Sequence, residues 1–158
     1  MKTLAGLSDE FAARYRERFG ALAGKLPLQL IHRDLNPSAL RFEDGVFRGF
    51  ADFELSEVNV RIFDLCYCAT AILSECFSDP KIDKRRFGSI LEGLIAGYDR
   101  TEPLTPAEKE AIPYVIDSIE ILCIAYFSSL DKYADLARTN IEMLRFFIAS
   151  APHAPAAG

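Results

Sequence analysis

The sequence has little of what marks a membrane, metal-centred or nucleic-acid-binding protein. Its longest uncharged apolar stretches, 65–74 and 121–130, fall well short of the roughly 20 residues that a bilayer crossing takes. No membrane partner is therefore expected. The opening Met1-Lys2-Thr3-Leu4-Ala5 has no long apolar segment before Ser8-Asp9-Glu10, which a secretory leader would need. The expectation is a cytoplasmic chain. Basic residues are outnumbered, 18 Lys and Arg against 23 Asp and Glu, for a formal net charge of −5. A nucleic-acid binder normally carries a basic surplus that displaces counterions, so no nucleic-acid partner is expected. There are two histidines, His32 and His153, and no Cys-x-x-Cys, which leaves a Cys/His metal protein without its ligand spacing. The four cysteines are Cys66, Cys68, Cys76 and Cys123. Residues two apart on a helix do not face each other, so Cys66 and Cys68 make a poor clip. All four read as small buried hydrophobes in a reducing compartment.

What is present is enough apolar material for one domain: 158 residues, half of them hydrophobic. Ser8 to about Leu22 has Phe11, Tyr15, Phe19 and Leu22 on one helical face, with Ser8 placed to cap it. Leu26 to Ile31 reads as a short buried strand. Asp44-Gly45 lies between the alternating runs Leu40–Glu43 and Val46–Ala51, a strong hairpin signal. From Ile62 to Phe77 the chain is apolar nearly all round, as a central helix would be. A second helix is expected from Lys81 to about Tyr98. A third opens on Thr105-Pro106-Ala107-Glu108 and runs to about Leu130, with a kink at Pro113, and a last covers Lys132 to Ala149. The fold class is thus α+β and mostly helical, about five helices with a small β-hairpin unit. Residues 1–149 form the domain and 150–158 a frayed, flexible tail that contains His153.

The unusual segment is Ile31-His32-Arg33-Asp34-Leu35-Asn36-Pro37-Ser38-Ala39-Leu40, a polar loop between two expected strands. Such a loop can place a carboxylate accurately. A second acid, Asp52, closes the hairpin 18 residues after Asp34. A hairpin returning beside its start would bring both acids to one end of the sheet. Paired acids suit a hard cation such as Mg²⁺, which completes its shell with water and phosphate. Phosphoryl transfer needs little more than a base and such a metal. The plain alternative is that Asp34 and Asp52 are loop and turn acids on a small hairpin.

His32-Arg33-Asp34-Leu35-Asn36-Pro37, followed by Ala51-Asp52-Phe53-Glu54, resembles the catalytic and metal-binding loops of the protein-kinase-like fold. No long activation segment ending in Ala-Pro-Glu follows. Instead Ser56, Asn59, Arg61 and Ile62-Phe63-Asp64-Leu65 lead into the apolar helix. That pattern is similar to the small-molecule kinases: the aminoglycoside phosphotransferase family, choline and ethanolamine kinases, and homoserine-kinase-like proteins. The resemblance implies a kinase-like C-terminal lobe and ATP-dependent phosphoryl transfer to a small-molecule hydroxyl, with Mg²⁺ and ATP as cofactors. It makes Asp34 the catalytic base and Asp52 the metal ligand. His32 and Arg33 shape the loop, His32 as a buried hydrogen-bonded residue more than as a base. Asp64 is structural, near the helix N-terminus and able to brace the catalytic loop. Asn36 and Glu54 are the candidate cofactor-binding residues, although Asn36 occupies a different family position and Glu54 either assists at the site or is simply solvated.

Two departures bear on activity. Family members carry Asn as a second metal ligand five residues after the catalytic Asp, where this chain has Ala39. No Gly-rich loop followed by a strand lysine lies upstream of Asp34, so the N-terminal lobe that grips the phosphates is expected to be absent from this polypeptide. Each loss removes several kcal/mol of transition-state stabilisation, about tenfold in rate per 1.4 kcal/mol. The expectation is an incomplete or weakened phosphotransferase. The alternative is a catalytically inactive kinase-like lobe serving as a binding or assembly module. An uncovered apolar surface would self-associate or accept the missing lobe in trans.

Overall fold

The computed structural model describes residues 9–150. Ser8 and the tail with His153 lie outside the described residues. The order is α1 (Asp9–Ala23), β1 (Leu28–Ile31), β2 (Leu40–Glu43), β3 (Val46–Phe50), β4 (Glu57–Val60), α2 (Ile62–Cys76), α3 (Arg86–Asp99), α4 (Pro106–Phe127) and α5 (Ala134–Ser150). Short 3₁₀ turns occupy Pro37–Ala39, Phe53–Leu55 and Asp131–Tyr133. The architecture is α+β and mostly helical, five helices with two small antiparallel ribbons among the described residues.

Helices supply the core. α2 buries Ile62, Leu65, Cys66, Ala69 and Leu73, and α4 and α5 pack on it through Ile112, Val115, Ile116, Ile119, Met143 and Phe147. Each buried aliphatic or aromatic side chain contributes roughly 1.5–3 kcal/mol. The cysteines are free, Cys66 and Cys68 buried and the other two partly so. α1 docks through its aromatic face: Tyr15 stacks between Phe11 and Phe19, meets Tyr114 edge-on, and hydrogen-bonds Ser118 of α4. α4 starts on a capping box. Thr105 accepts from the Glu108 amide at 3.2 Å and Glu108 accepts from the Thr105 amide at 2.8 Å. The helix continues through Pro113.

The strands differ from expectation. The hairpin forms as the Asp44-Gly45 signal predicts, both residues having the positive φ (50° and 75°) that a type I′ turn needs. It does not, however, return beside the strand before it. β1 pairs instead with β4, in the register Leu28↔Val60 to Ile31↔Glu57, and β4 was not expected at all. Nor is β1 a buried strand. Ile31 is 2 % exposed, but Leu28 and Leu30 are 64 % and 70 % exposed, because a two-stranded ribbon leaves one face uncovered. Phe42, Phe47 and Phe50 of the hairpin cluster edge to face and are likewise exposed. The expected helix from Lys81 begins at Arg86, because Asp79 and Asp83 cap the Lys81 and Arg85 amides in local turns instead.

Candidate active site

Ile31 at the end of β1 pairs with Glu57 at the start of β4, so the loop 32–36 sets out beside the turn that precedes β4, and α2, entered from the far end of β4, folds back onto that loop. Asp64, in the first turn of α2, therefore lies against the loop. Its two oxygens accept the backbone N–H groups of His32 (2.7 Å) and Arg33 (2.8 Å). Charge-assisted bonds of this kind are about twice as strong as neutral ones. They hold Arg33 in a left-handed conformation, φ 72°, which an L-residue adopts at a cost of order 1 kcal/mol. The Arg33 side chain turns to Glu57, 3.3 Å away.

His32 is buried and ties the two motifs together. Its Nε2 lies 2.6 Å from the Ala51 carbonyl, which can only accept, so Nε2 carries the proton. Its ring packs on Phe53 at 4.7 Å between centroids. The ring is committed to joining the loops, and its Nδ1 is buried with no hydrogen-bond partner among the described residues. The Ala51 amide bonds the Ala39 carbonyl at 2.9 Å. Next to Ala51, Asp52 is also left-handed, φ 65°. Its exposed carboxylate has a long 3.9 Å contact with Arg41. Of the three non-glycine residues with positive φ among the described residues, Asp44 belongs to the hairpin turn and the other two lie one in each motif. Glu54, in the turn after Asp52, is exposed.

Asp34 is held from two sides. Its Oδ1 accepts the Tyr67 hydroxyl at 2.8 Å and the Asn36 side-chain amide at 3.0 Å. Oδ2 accepts no hydrogen bond among the described residues. Burial, then Asp34 itself, push Tyr67 well above the ordinary phenol range, so it remains a donor at any working pH. Asn36 is engaged within the loop: its Oδ1 accepts from the Ser38 amide (2.9 Å) and hydroxyl (2.6 Å). Ala39 is 1 % exposed and offers no side-chain donor.

A cleft of about 390 Å³ opens beside this loop, lined by residues 36–38, Tyr67 and Thr70 of α2, Glu120 and Cys123 of α4, and Asn140 of α5. Sequence reasoning missed these helical members. Tyr67 had a usable signal, since it stands three residues after Asp64 and so on the same helical face. Glu120 and Asp117, acids within the mostly apolar α4, are both buried. Burial raises Asp117 to about 7, Arg14 pulling the other way. Burial and the neighbouring Asp117 raise Glu120 to about 8. Burial, with Glu120 and Asp34 adding, lifts Cys123 to about 12. Among the described residues no group of three or more His, Cys, Asp and Glu converges as a metal cluster, and no helix is long and apolar enough to cross a membrane.

Comparison with known proteins places the chain in a family. A family model described as a phosphotransferase enzyme family matches residues 2–105. The chain belongs to that family. Among curated relatives, it is 29 % identical over 123 residues to a homoserine kinase of Gluconobacter oxydans, covering 77 % of this chain and 37 % of the relative. It is 35 % identical over 111 residues to a homoserine kinase of Gluconacetobacter diazotrophicus (68 % and 32 % covered). It is also 35 % identical over 117 residues to one of a Caulobacter species (71 % and 35 %). The chain spans about a third of the length of these relatives. No solved structure matches it significantly.

Proposed function

We propose that this chain is a kinase-like lobe carrying the acceptor-activating and metal-holding groups of an ATP-dependent phosphotransferase acting on a small-molecule hydroxyl. The observation that carries the reading is Asp34. One of its oxygens is pinned by Tyr67 and Asn36 and the other is open, beside a cleft of substrate size. In this reading the open oxygen orients the acceptor hydroxyl and takes its proton. Tyr67 and Asn36 fix the carboxylate so that no reorganisation is needed at the moment of transfer. Asp64 holds the loop, and the His32–Ala51 bond keeps Asp52 beside it. The relatives named homoserine kinase make homoserine the first acceptor to test.

The donor chemistry of the second loop fits Mg²⁺. Asp52 offers an exposed carboxylate with only the distant Arg41 guanidinium to satisfy it. That suits an ion which keeps most of its water and binds one or two carboxylates plus phosphate. Asp52 would hold the ion, with Asn36 and Glu54 as nearby polar groups on the two loops. Bound there, Mg²⁺ would supply neutralisation of phosphate charge. Ala39 contributes nothing, so metal and nucleotide binding are weaker than in a chain with Asn there.

The test is transfer of phosphate from ATP to L-homoserine, choline and an aminoglycoside by the full gene product, with Mg²⁺ present and then chelated. Metal-dependent transfer to one of them supports the proposal. Silence for all, with no Mg²⁺-nucleotide binding, removes it. Ala39 and the exposed apolar strands favour a second reading, a lobe that binds or assembles without turnover. Ala39→Asn separates the two: increased Mg²⁺-ATP affinity identifies a weakened kinase site, and unchanged affinity favours the binding module.

A further inference from the structure

Building on the phosphotransferase reading, we propose that the Glu120 carboxyl selects the acceptor: it binds the ammonium group of a small amino alcohol whose hydroxyl is presented to Asp34. Glu120 is 1 % exposed, yet its Oε2 has no hydrogen-bond partner among the described residues. A buried carboxyl oxygen left unpaired costs stability, and native structures keep few of them. This oxygen belongs to a residue lining the same cleft as the 36–38 turn and Tyr67, whose hydroxyl holds Asp34. One cavity thus touches the loop of the open Asp34 oxygen and an unsatisfied acid. Its volume of about 390 Å³ suits a compact ligand.

The sign of the guest's charge follows from the lining. Glu75 and Tyr67 face the cleft from α2, Glu120 and Cys123 from α4, and neutral Asn140 from α5, with no Lys, Arg or His among the lining residues. Asp117 stands behind Glu120 on α4, with Arg14 near it. An anionic guest would find no counter-charge there. A cation would find Glu120. Because burial holds the empty carboxyl near 8, it keeps its proton at neutral pH. An ammonium beside it favours the carboxylate, so binding expels that proton, and affinity rises with pH up to about 8.

The test compares L-homoserine with 4-hydroxybutyrate, which keeps the hydroxyl and lacks the amine, on the full gene product and its Glu120→Gln variant. Phosphorylation kinetics and calorimetry are measured in two buffers of different ionisation enthalpy. We expect the unmodified protein to prefer homoserine at least about tenfold in kcat/KM, the worth of one charged hydrogen bond. It should release close to one proton on binding at pH 7. Glu120→Gln should raise KM for homoserine more than it lowers kcat and abolish proton release. Undiminished preference in the variant, proton release that persists in it, or no homoserine binding by the unmodified protein overturns the proposal. If neither compound is phosphorylated, homoserine is not the acceptor, a result separate from the wider test of phosphate transfer, and calorimetry of homoserine on the two proteins still decides the role of Glu120.

Discussion

Asp64 accepts two backbone N–H groups that no other group of the loop satisfies. Asp64→Ala should therefore cost about 1–3 kcal/mol, chiefly the penalty for the His32 donor, since the exposed Arg33 amide can turn to water, read from urea unfolding. Asn in its place offers one acceptor oxygen and should cost less. Asp117 makes the opposite prediction with pH. Its folded value, about 7, lies above the ordinary aspartate range, so between the two the folded state binds more protons than the unfolded one. Stability then falls as pH rises through that window and levels off above it. Asp117→Asn should flatten this dependence and make the protein more stable than the parent at pH 8.5 by a few kcal/mol. Equal slopes for parent and variant between pH 5 and 8.5 would contradict it.

The ends of α2 and α4 are joined by one buried ion pair. Arg61 Nε and a terminal nitrogen meet the two Glu108 oxygens at 2.6 and 2.8 Å, and the guanidinium also reaches Glu102 (3.0 Å) and the Pro103 carbonyl (2.8 Å). Burial opposes the Glu108 charge, but Arg61 and the Thr105 cap outweigh it and hold the carboxyl below its usual range. The pair's contribution is thus complete above that range and lost as acid protonates Glu108. Arg61→Ala leaves a buried carboxylate unpaired and should cost about 3–5 kcal/mol, measured at pH 7 by denaturant unfolding. A loss below about 1 kcal/mol would show that the pair is not holding the two helices. Thr105 and Glu108 were legible in the sequence as a helix start, because a capping box is local. Arg61 as their partner was not, since nothing in the sequence tells which distant cation fills a buried site. The same limit hid β4. Glu57–Val60 is four residues running into a helix, too short for alternation to register, and its pairing with β1 spans the whole hairpin. The Asp44-Gly45 turn was legible for the reverse reason: two adjacent residues determine it.

Across the molecule, helices 62–150 form a packed body and the two ribbons lie on it with one apolar side open, Leu28, Leu30, Phe42, Phe50 and Val58 all about half exposed or more. Patches of this kind mark interaction surfaces. The loops carrying Asp34 and Asp52 sit where the ribbons meet the helices, and the two acids stood out as candidates in the sequence through their spacing together with the motif resemblance. The cleft beside them was not legible there, because Tyr67, Glu120 and Asn140 of its lining come from three helices and meet only when packed together. The account turns on Asp34 as the group that takes the acceptor's proton. The deciding measurement is the rate of phosphate transfer from ATP to L-homoserine by the full gene product and its Asp34→Asn variant at saturating substrate. The account predicts a fall of about 10²- to 10⁴-fold with the fold unchanged by circular dichroism. A variant that keeps its rate within about threefold, less than positioned proton transfer is worth, would contradict it.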